Sequence, residues 1–175
     1  MSIKPKNIFS YMASITASLG SSIEFTSHNT LHQAQLQESH TSALCALASL
    51  ITTHDVDGNG WNCSATNYDV CTWAGVTCSG DDVQGLEISS SDSFTDEYVF
   101  AGQLPDSLGV LTALEHFYLF DNTLTGTLPS SWGNMSSLQI LHLYDNALTG
   151  PIPSSFSKLT SLQYLYAYAN SLTLD

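Results

Sequence analysis

Four columns of residues recur every 24 positions in the second half of this chain. Asn122, Asn146 and Asn170 are evenly spaced (146 − 122 = 170 − 146 = 24). Gly102, Gly126 and Gly150 keep the same step, as do Pro105, Pro129 and Pro153, and Leu111, Met135 and Leu159. A fixed period of roughly 20–29 residues points to short units that bury their apolar faces only by stacking on one another. Within each unit the order is L-x-x-L-x-L-x-x-N-x-L. Leu114, Phe117, Leu119, Asn122 and Leu124 fit it. So do Leu138, Leu141, Leu143, Asn146 and Leu148, and then Leu162, Leu165, Ala167, Asn170 and Leu172. Such units stack into a solenoid with an extended concave surface, and that surface usually binds something.

Length and charge narrow the candidates. The 175 residues suffice for one domain. The net charge is −13, and Lys4, Lys6 and Lys158 are the only cationic side chains besides histidine. Phosphate contacts need Lys or Arg, so nucleic acid is excluded as a partner. An anionic membrane surface would repel the chain as well. The simplest use of so much negative charge is solubility. No apolar stretch approaches the roughly 18 residues of a membrane span, so direct membrane insertion is not expected.

The N-terminus reads in two ways. Lys4 and Lys6 precede a mildly apolar run from Ile8 to Leu19, followed by Gly20. That is the layout of a secretory signal with cleavage after Gly20; Ser10, Ser14, Thr16 and Ser18 dilute it toward a disordered tail. Cys45, Cys63, Cys71 and Cys78 all precede the repeats. An even number of cysteines in an exported segment suggests disulfides, and four permit three pairings. The favoured set is Cys71–Cys78, closing a short loop, with Cys45–Cys63 tying a helix to the loop after it. Zinc is the rival, weakened by the lack of any C-x-x-C pair.

Three segments follow: residues 1–29 as a signal, targeting or disordered stretch, 30–82 as an N-terminal cap, and 83–175 as about three and a half repeats. From Thr30 to Thr53 the pattern is helical, with Leu44, Leu47, Ala48 and Ile51 on one face. A loop rich in Asp, Asn and Gly runs from His54 to Tyr68. Gly75 to Cys78 and Val83 to Ile88 read as two short strands around a turn.

The stretch Cys71-Thr72-Trp73-Ala74-Gly75-Val76-Thr77-Cys78 resembles the CxWxGVxC signature of the N-terminal cap in plant-type extracellular leucine-rich-repeat proteins. Leu124-Thr125-Gly126-Thr127-Leu128-Pro129 and Leu148-Thr149-Gly150-Pro151-Ile152-Pro153 resemble the LTGxIP element of the same subclass, with Ala101-Gly102-Gln103-Leu104-Pro105 a degraded copy. The segment Leu128 to Gln139 also resembles repeats of trypanosomatid promastigote surface antigens. The resemblance runs from about Ser42 through Asp175. It implies an α/β fold: a right-handed leucine-rich-repeat solenoid with a parallel concave sheet and a disulfide-bonded helical N-terminal cap. It further implies a Cys71–Cys78 bond, Trp73 packed under the first repeat, and a small second strand followed by a 3₁₀-like turn in each unit. The family includes receptor-kinase ectodomains and secreted inhibitors of cell-wall hydrolases such as polygalacturonase inhibitors.

Two departures stand out. Val83, Leu86 and Ile88 align with Leu114, Phe117 and Leu119 at an offset of 31 (114 − 83 = 31), so 31 − 24 = 7 extra residues lie between Ser91 and Gly102. This insertion, with Asp92, Asp96, Glu97 and Tyr98, reads equally as a binding loop or a tolerated surface loop. The pattern also stops at Asp175 without a C-terminal cap, as in a truncated gene, a fragment or a degenerate paralogue. The last repeat is expected to fray, and its uncovered end could pair with another copy.

Residues between the core leucines alternate to the opposite face of each strand, so they form columns across the concave sheet. One column is Tyr118, His142 and Tyr166; the next is Phe120, Tyr144 and Tyr168; a third is His116, Ile140 and Tyr164. Asp121, Asp145 and Ala169 lie at the edge. An aromatic patch rimmed by acid suggests an interface. The competing explanation is that Tyr simply fits a sheet and stacks there. The asparagines are expected to hydrogen-bond backbone in neighbouring turns. Asp55, Asp57, Asn59 and Gly60 match four positions of a calcium loop, but Thr66 stands where the bidentate Glu belongs. His116 and His142 fall in different columns, which strains any metal pair. No metal or other cofactor is expected, and no nucleophile constellation points to an enzyme. Sequons at Asn62 and Asn134 become meaningful only on export. The resulting expectation is extracellular, non-catalytic recognition of a protein, peptide or carbohydrate. A secreted hydrolase inhibitor and a structural remnant without a ligand are the alternatives.

Overall fold

The computed structural model describes residues 22–51, 61, 63, 69–89 and 99–174, with side chains in the first helix from His32 onward. Residues 1–21, the Asp55–Gly60 match, Asn62, Thr66 and the Asp92–Tyr98 insertion lie outside the described residues. The chain divides into two units, residues 1–38 and 39–175. The described part of the first is the opening portion of helix α1 (Ser22–Ala48).

Everything else belongs to the second unit, and α1 ends inside it. Ala43, Leu44 and Leu47 are fully buried there, at the spacing of one helical face. The helix starts earlier and stops earlier than the Thr30–Thr53 expectation. Its last expected turn is taken by a strand-like connection instead. The Leu50 carbonyl accepts from the Ala101 amide at 2.8 Å, and Ile51 bridges Phe100 in antiparallel fashion. A β-branched residue such as Ile51 loses little by leaving a helix, which favours this exchange.

The cap is stapled twice. Cys45 bonds Cys63 and Cys71 bonds Cys78, with Cα separations of 5.8 and 5.6 Å. Cys71 sits in a 3₁₀ turn (Val70–Thr72) capped by Asp69, whose carboxylate accepts from the Cys71 amide at 3.0 Å. Trp73 is buried and its ring meets Trp61 at 5.0 Å; Trp61 in turn donates from Nε1 to the Ala74 carbonyl at 2.9 Å and lies edge-on to Phe100. Gly75 has a left-handed φ of +78°, and a Cβ there would run into the Glu87 carbonyl oxygen. Only glycine allows the signature to pass that close to the strand that ends at Glu87.

From there the chain alternates between two sheets. The concave sheet holds β1 (Val76–Ser79), β2 (Asp82–Glu87), β4 (His116–Tyr118), β6 (Ile140–His142) and β8 (Tyr164–Tyr166) in that order. β1 and β2 form an antiparallel hairpin, and every later pairing is parallel. The second sheet is β3 (Ala101–Gln103), β5 (Thr123–Gly126), β7 (Ala147–Pro151) and β9 (Ser171–Thr173), also parallel. After each of β3, β5 and β7 comes a 3₁₀ turn: Asp106–Val110, Ser130–Asn134 and Ser154–Lys158. Pro105, Pro129 and Pro153 stand immediately before these turns, so their fixed φ sets the entry one position earlier than a first helical residue.

The core runs between the sheets and turns. Leu114, Phe117, Leu119, Trp132, Leu138, Leu141 and Leu143 are fully buried. Trp132 packs on Phe117 with ring centroids 5.1 Å apart and donates its indole N–H to the Pro105 carbonyl at 3.2 Å. In the last repeat the equivalent Leu162, Leu165, Ala167 and Leu172 are half-buried. The 3₁₀ turns stack tightly because Gly109 and Gly133 carry no side chain. A Cβ on Gly133 would lie 2.5 Å from the Ser155 carbonyl oxygen, and one on Gly109 would meet Ser131 at the same distance.

The asparagine column is a continuous ladder. The Asn122 amide donates to the carbonyls of Ile88, Leu119 and Phe120, and its Oδ1 accepts from the Phe100 amide at 2.9 Å. Asn146 donates to Leu119, Leu143 and Tyr144 and accepts from Leu124. Asn170 donates to Leu143, Ala167 and Tyr168 and accepts from Leu148. Each side chain therefore joins its own turn to the preceding one, the structural role expected of it.

Candidate functional site

The exposed face of the concave sheet is built from the residues between the core positions. Parallel register aligns His116 with Ile140 and Tyr164, and Tyr118 with His142 and Tyr166. Adjacent strands in a sheet lie about 4.8 Å apart, close to the spacing of stacked rings. The rings use that coincidence. Phe120 stacks on Tyr144 at 4.6 Å and 12°, and Tyr144 on Tyr168 at 4.8 Å and 9°. In the central column Tyr118 meets His142 edge-on at 4.9 Å, and His142 stacks on Tyr166 at 4.7 Å. His142 also touches Phe120 and Tyr144, so it joins the two columns.

The structure thus gathers His116, Tyr118, Phe120, Ile140, His142, Tyr144, Tyr164, Tyr166 and Tyr168 on one face. Tyr164, Tyr166 and Tyr168 are exposed, and the others are half-buried. Burial in this cluster lowers the His142 pKa from the ordinary histidine value. Burial, and then the nearby Glu87 carboxylate, raises that of the Tyr118 phenol.

Asp121, Asp145 and Ala169 take a left-handed backbone, with φ of 54°, 53° and 50°. This turns the chain at the end of each concave strand and lets the following asparagine reach inward. Asp tolerates that conformation better than most residues, so the edge acids have a backbone reason to be there as well as an electrostatic one.

Two members of the face escaped the column reading. Glu87 pairs in register with Tyr118 and heads the central column, and Gly85 pairs with His116. The 31-residue offset of the first repeat places both, since 87 + 31 = 118 and 85 + 31 = 116. Beside the face, the Glu115 carboxylate accepts from the Gln84 amide at 3.3 Å and the Gln139 amide at 3.1 Å, clamping three successive repeats.

No group of three or more His, Cys, Asp or Glu that could hold a metal occurs among the described residues. His116 and His142 stand in different columns of the sheet. Asn134 is exposed at the end of the second repeat's 3₁₀ turn, away from the concave strands. Among the described residues no helix is long and apolar enough to cross a membrane.

A leucine-rich-repeat family model matches residues 112–172. No curated protein matches the chain. Among solved structures, that of PEPR1-AtPEP1 is 30% identical over 77% of this chain and 18% of that one, with a TM-score of 0.65. The ectodomain of the receptor kinase SOBIR1 from Arabidopsis thaliana is 24% identical over 77% of this chain and 68% of that one, with a TM-score of 0.57. The BIR2 ectodomain from Arabidopsis thaliana is 24% identical over 75% of this chain and 81% of that one, with a TM-score of 0.50. The latter two speak to the fold. The chain spans only 18% of the PEPR1 chain's length. With its period, its doubly stapled cap and its paired sheets, the chain has the leucine-rich-repeat fold and is similar to plant receptor ectodomains of that fold.

Proposed function

We propose that this chain is a non-catalytic recognition module that works outside the cell and binds a peptide or protein on its concave face. One observation carries the reading: two contiguous columns of aromatic rings stand on the open face of the sheet, where a solenoid displays its ligand surface. The inner rings Tyr118, Phe120, His142 and Tyr144 stay half-buried on this face instead of being covered by the chain itself. Tyrosine brings large contact area with few rotors to freeze, which suits recognition. Two disulfides in the cap support an oxidising compartment. The similar PEPR1-AtPEP1 structure is of a complex, which supports a peptide or protein ligand here.

The test is site-directed photo-crosslinking in the extracellular fluid of the source organism. A benzoylphenylalanine at position 120 should capture a partner; the same group at Val110, on the convex turn, should not. Capture from position 110 alone would move the binding surface and end this reading.

A further inference from the structure

Each 3₁₀ turn ends in the same three-residue element, on the side of the solenoid away from the aromatic face. Val110-Leu111-Thr112, Asn134-Met135-Ser136 and Lys158-Leu159-Thr160 occupy one place in successive repeats (134 − 110 = 158 − 134 = 24). In each, the amide of the third residue donates to the carbonyl of the first, at 2.9, 2.8 and 2.8 Å. In each, the middle residue is buried: Leu111, Met135 and Leu159 belong to the core. The first and third residues are exposed in all three repeats. A buried centre between exposed flanks makes this a turn that holds two side chains out in solvent.

The three copies differ in one respect. Their third position is always a hydroxyl residue, Thr112, Ser136 or Thr160, whereas the first is Val, Asn or Lys. The hydroxyl therefore belongs to the repeat, and the asparagine is the departure. The middle copy alone joins an exposed asparagine to an exposed hydroxyl two residues on, the acceptor pattern for N-linked glycosylation. Asn134 also differs from the asparagines of the ladder. Asn122, Asn146 and Asn170 use their side chains to bind backbone, while the Asn134 side chain makes no hydrogen bond with any described residue.

We propose that Asn134 carries an N-linked glycan, which masks the convex turns and leaves the aromatic face open. This rests on the extracellular part of the reading above, because the transfer belongs to the secretory pathway. Nδ2 of Asn134 bonds to C1 of the first sugar of a lipid-pyrophosphate-linked oligosaccharide. The bond from that carbon to the pyrophosphate breaks, and the lipid pyrophosphate leaves with the proton that Nδ2 gives up. Successive repeats lie only about 5 Å apart. The first sugars therefore overlie Val110 on the preceding turn, which is 41% exposed.

The test is peptide mapping of the full, oxidised chain recovered from extracellular fluid, after N-glycans are released enzymatically in heavy-oxygen water. Asn134 should be converted to aspartate carrying the heavy oxygen. Ser136→Ala removes the acceptor pattern and keeps Asn134; it should abolish that conversion and leave partner capture at position 120 unchanged. Lys158→Asn repeats the pattern on the next turn and should add a second glycan, read as a second step in intact mass. An exported chain with a bare Asn134 would overturn the inference and leave the recognition reading standing. A chain missing from that fluid and bare at Asn134 would overturn the inference and the extracellular reading together. Loss of capture in Ser136→Ala would put the glycan in the contact and overturn its masking role. A glycan at Asn134 with none added by Lys158→Asn would overturn the role given to the shared turn.

Discussion

The asparagine ladder and the aromatic columns share one period, yet they behave as opposites. Every asparagine in its column is the same residue, and each makes four hydrogen bonds to backbone of its own and adjoining turns. The aromatic columns mix Tyr, His, Phe and Ile and hold together through ring contacts on an open face. A position that must satisfy fixed backbone groups admits one chemistry. A position facing solvent needs only shape and hydrophobicity, so its identity is left to whatever the surface meets. Constancy within a column marks support, and variation within a column of large side chains marks the surface available for function.

The strongest test of that contrast is Asn122→Ala. It leaves the Phe100 amide and three carbonyls short of a partner in a buried setting. The expected loss is about 3 kcal/mol, read as a fall in the urea midpoint at unchanged slope. A loss below about 1 kcal/mol would show that water replaces the side chain, and the ladder would not be the support argued here. Gly133→Ala comes next, at about 2 kcal/mol, because the new methyl must push the Ser155 carbonyl away and unseat the next 3₁₀ turn. Calorimetry on the single variant checks it; an unchanged melting temperature would mean that the turns slide freely.

These two columns were not equally legible. The asparagines announce themselves by residue identity and the solenoid follows from the period, while the second sheet and the 3₁₀ turns were what the resemblance of the LTGxIP-like elements implied. The cysteine pairing that closed the shortest loop is the one the structure holds. Gly109 and Gly133 carried a signal of the same 24-residue step, but the third position of that column is Ser157, so the column broke before it could be noticed. The end of α1 was hidden for another reason: Leu50 and Ile51 continue the helical apolar pattern and are captured by Phe100 and Ala101, about fifty residues away, which no local rule reports. For the candidate face, the columns were legible from strand alternation. Ring orientation was not, because it depends on side-chain torsions that neighbouring strands select together. Glu87 was masked by the insertion that shifts the first repeat out of phase.

On the aromatic side the contrast predicts a small structural effect with a large functional one. Tyr144→Leu removes two stacked contacts from a half-buried ring and should cost about 1 kcal/mol. Partner capture at position 120 should nevertheless fall sharply in the same variant. Equal damage to stability and capture would return these rings to a packing role. At the edge, Ala169 holds a φ of 50° that Asp121 and Asp145 occupy in the earlier repeats. Ala169→Asn should stabilise the fold by about 0.5–1 kcal/mol, since Asn accepts the left-handed conformation more readily. A neutral result in thermal melts would indicate that the last turn relaxes its backbone instead.

The smallest effect belongs to His142, and its sign follows from burial. Its folded pKa lies below the ordinary histidine value because the ring cluster disfavours the charged form. In the window between the lowered folded value and the ordinary value of 6.5, the unfolded chain binds more protons than the folded one. The stability contributed by keeping this ring neutral is therefore complete above the ordinary value and is lost as pH falls through the folded one. Because the ring is partly open to solvent, the loss is modest. Melting temperatures taken from about pH 7 down to about pH 5 should fall more steeply for the natural chain than for His142→Phe, which keeps a ring in the column without a titrating nitrogen. Parallel curves would place the imidazole in contact with water, and the joint between the two aromatic columns would then be looser than ring contacts at 4.7 and 4.9 Å imply.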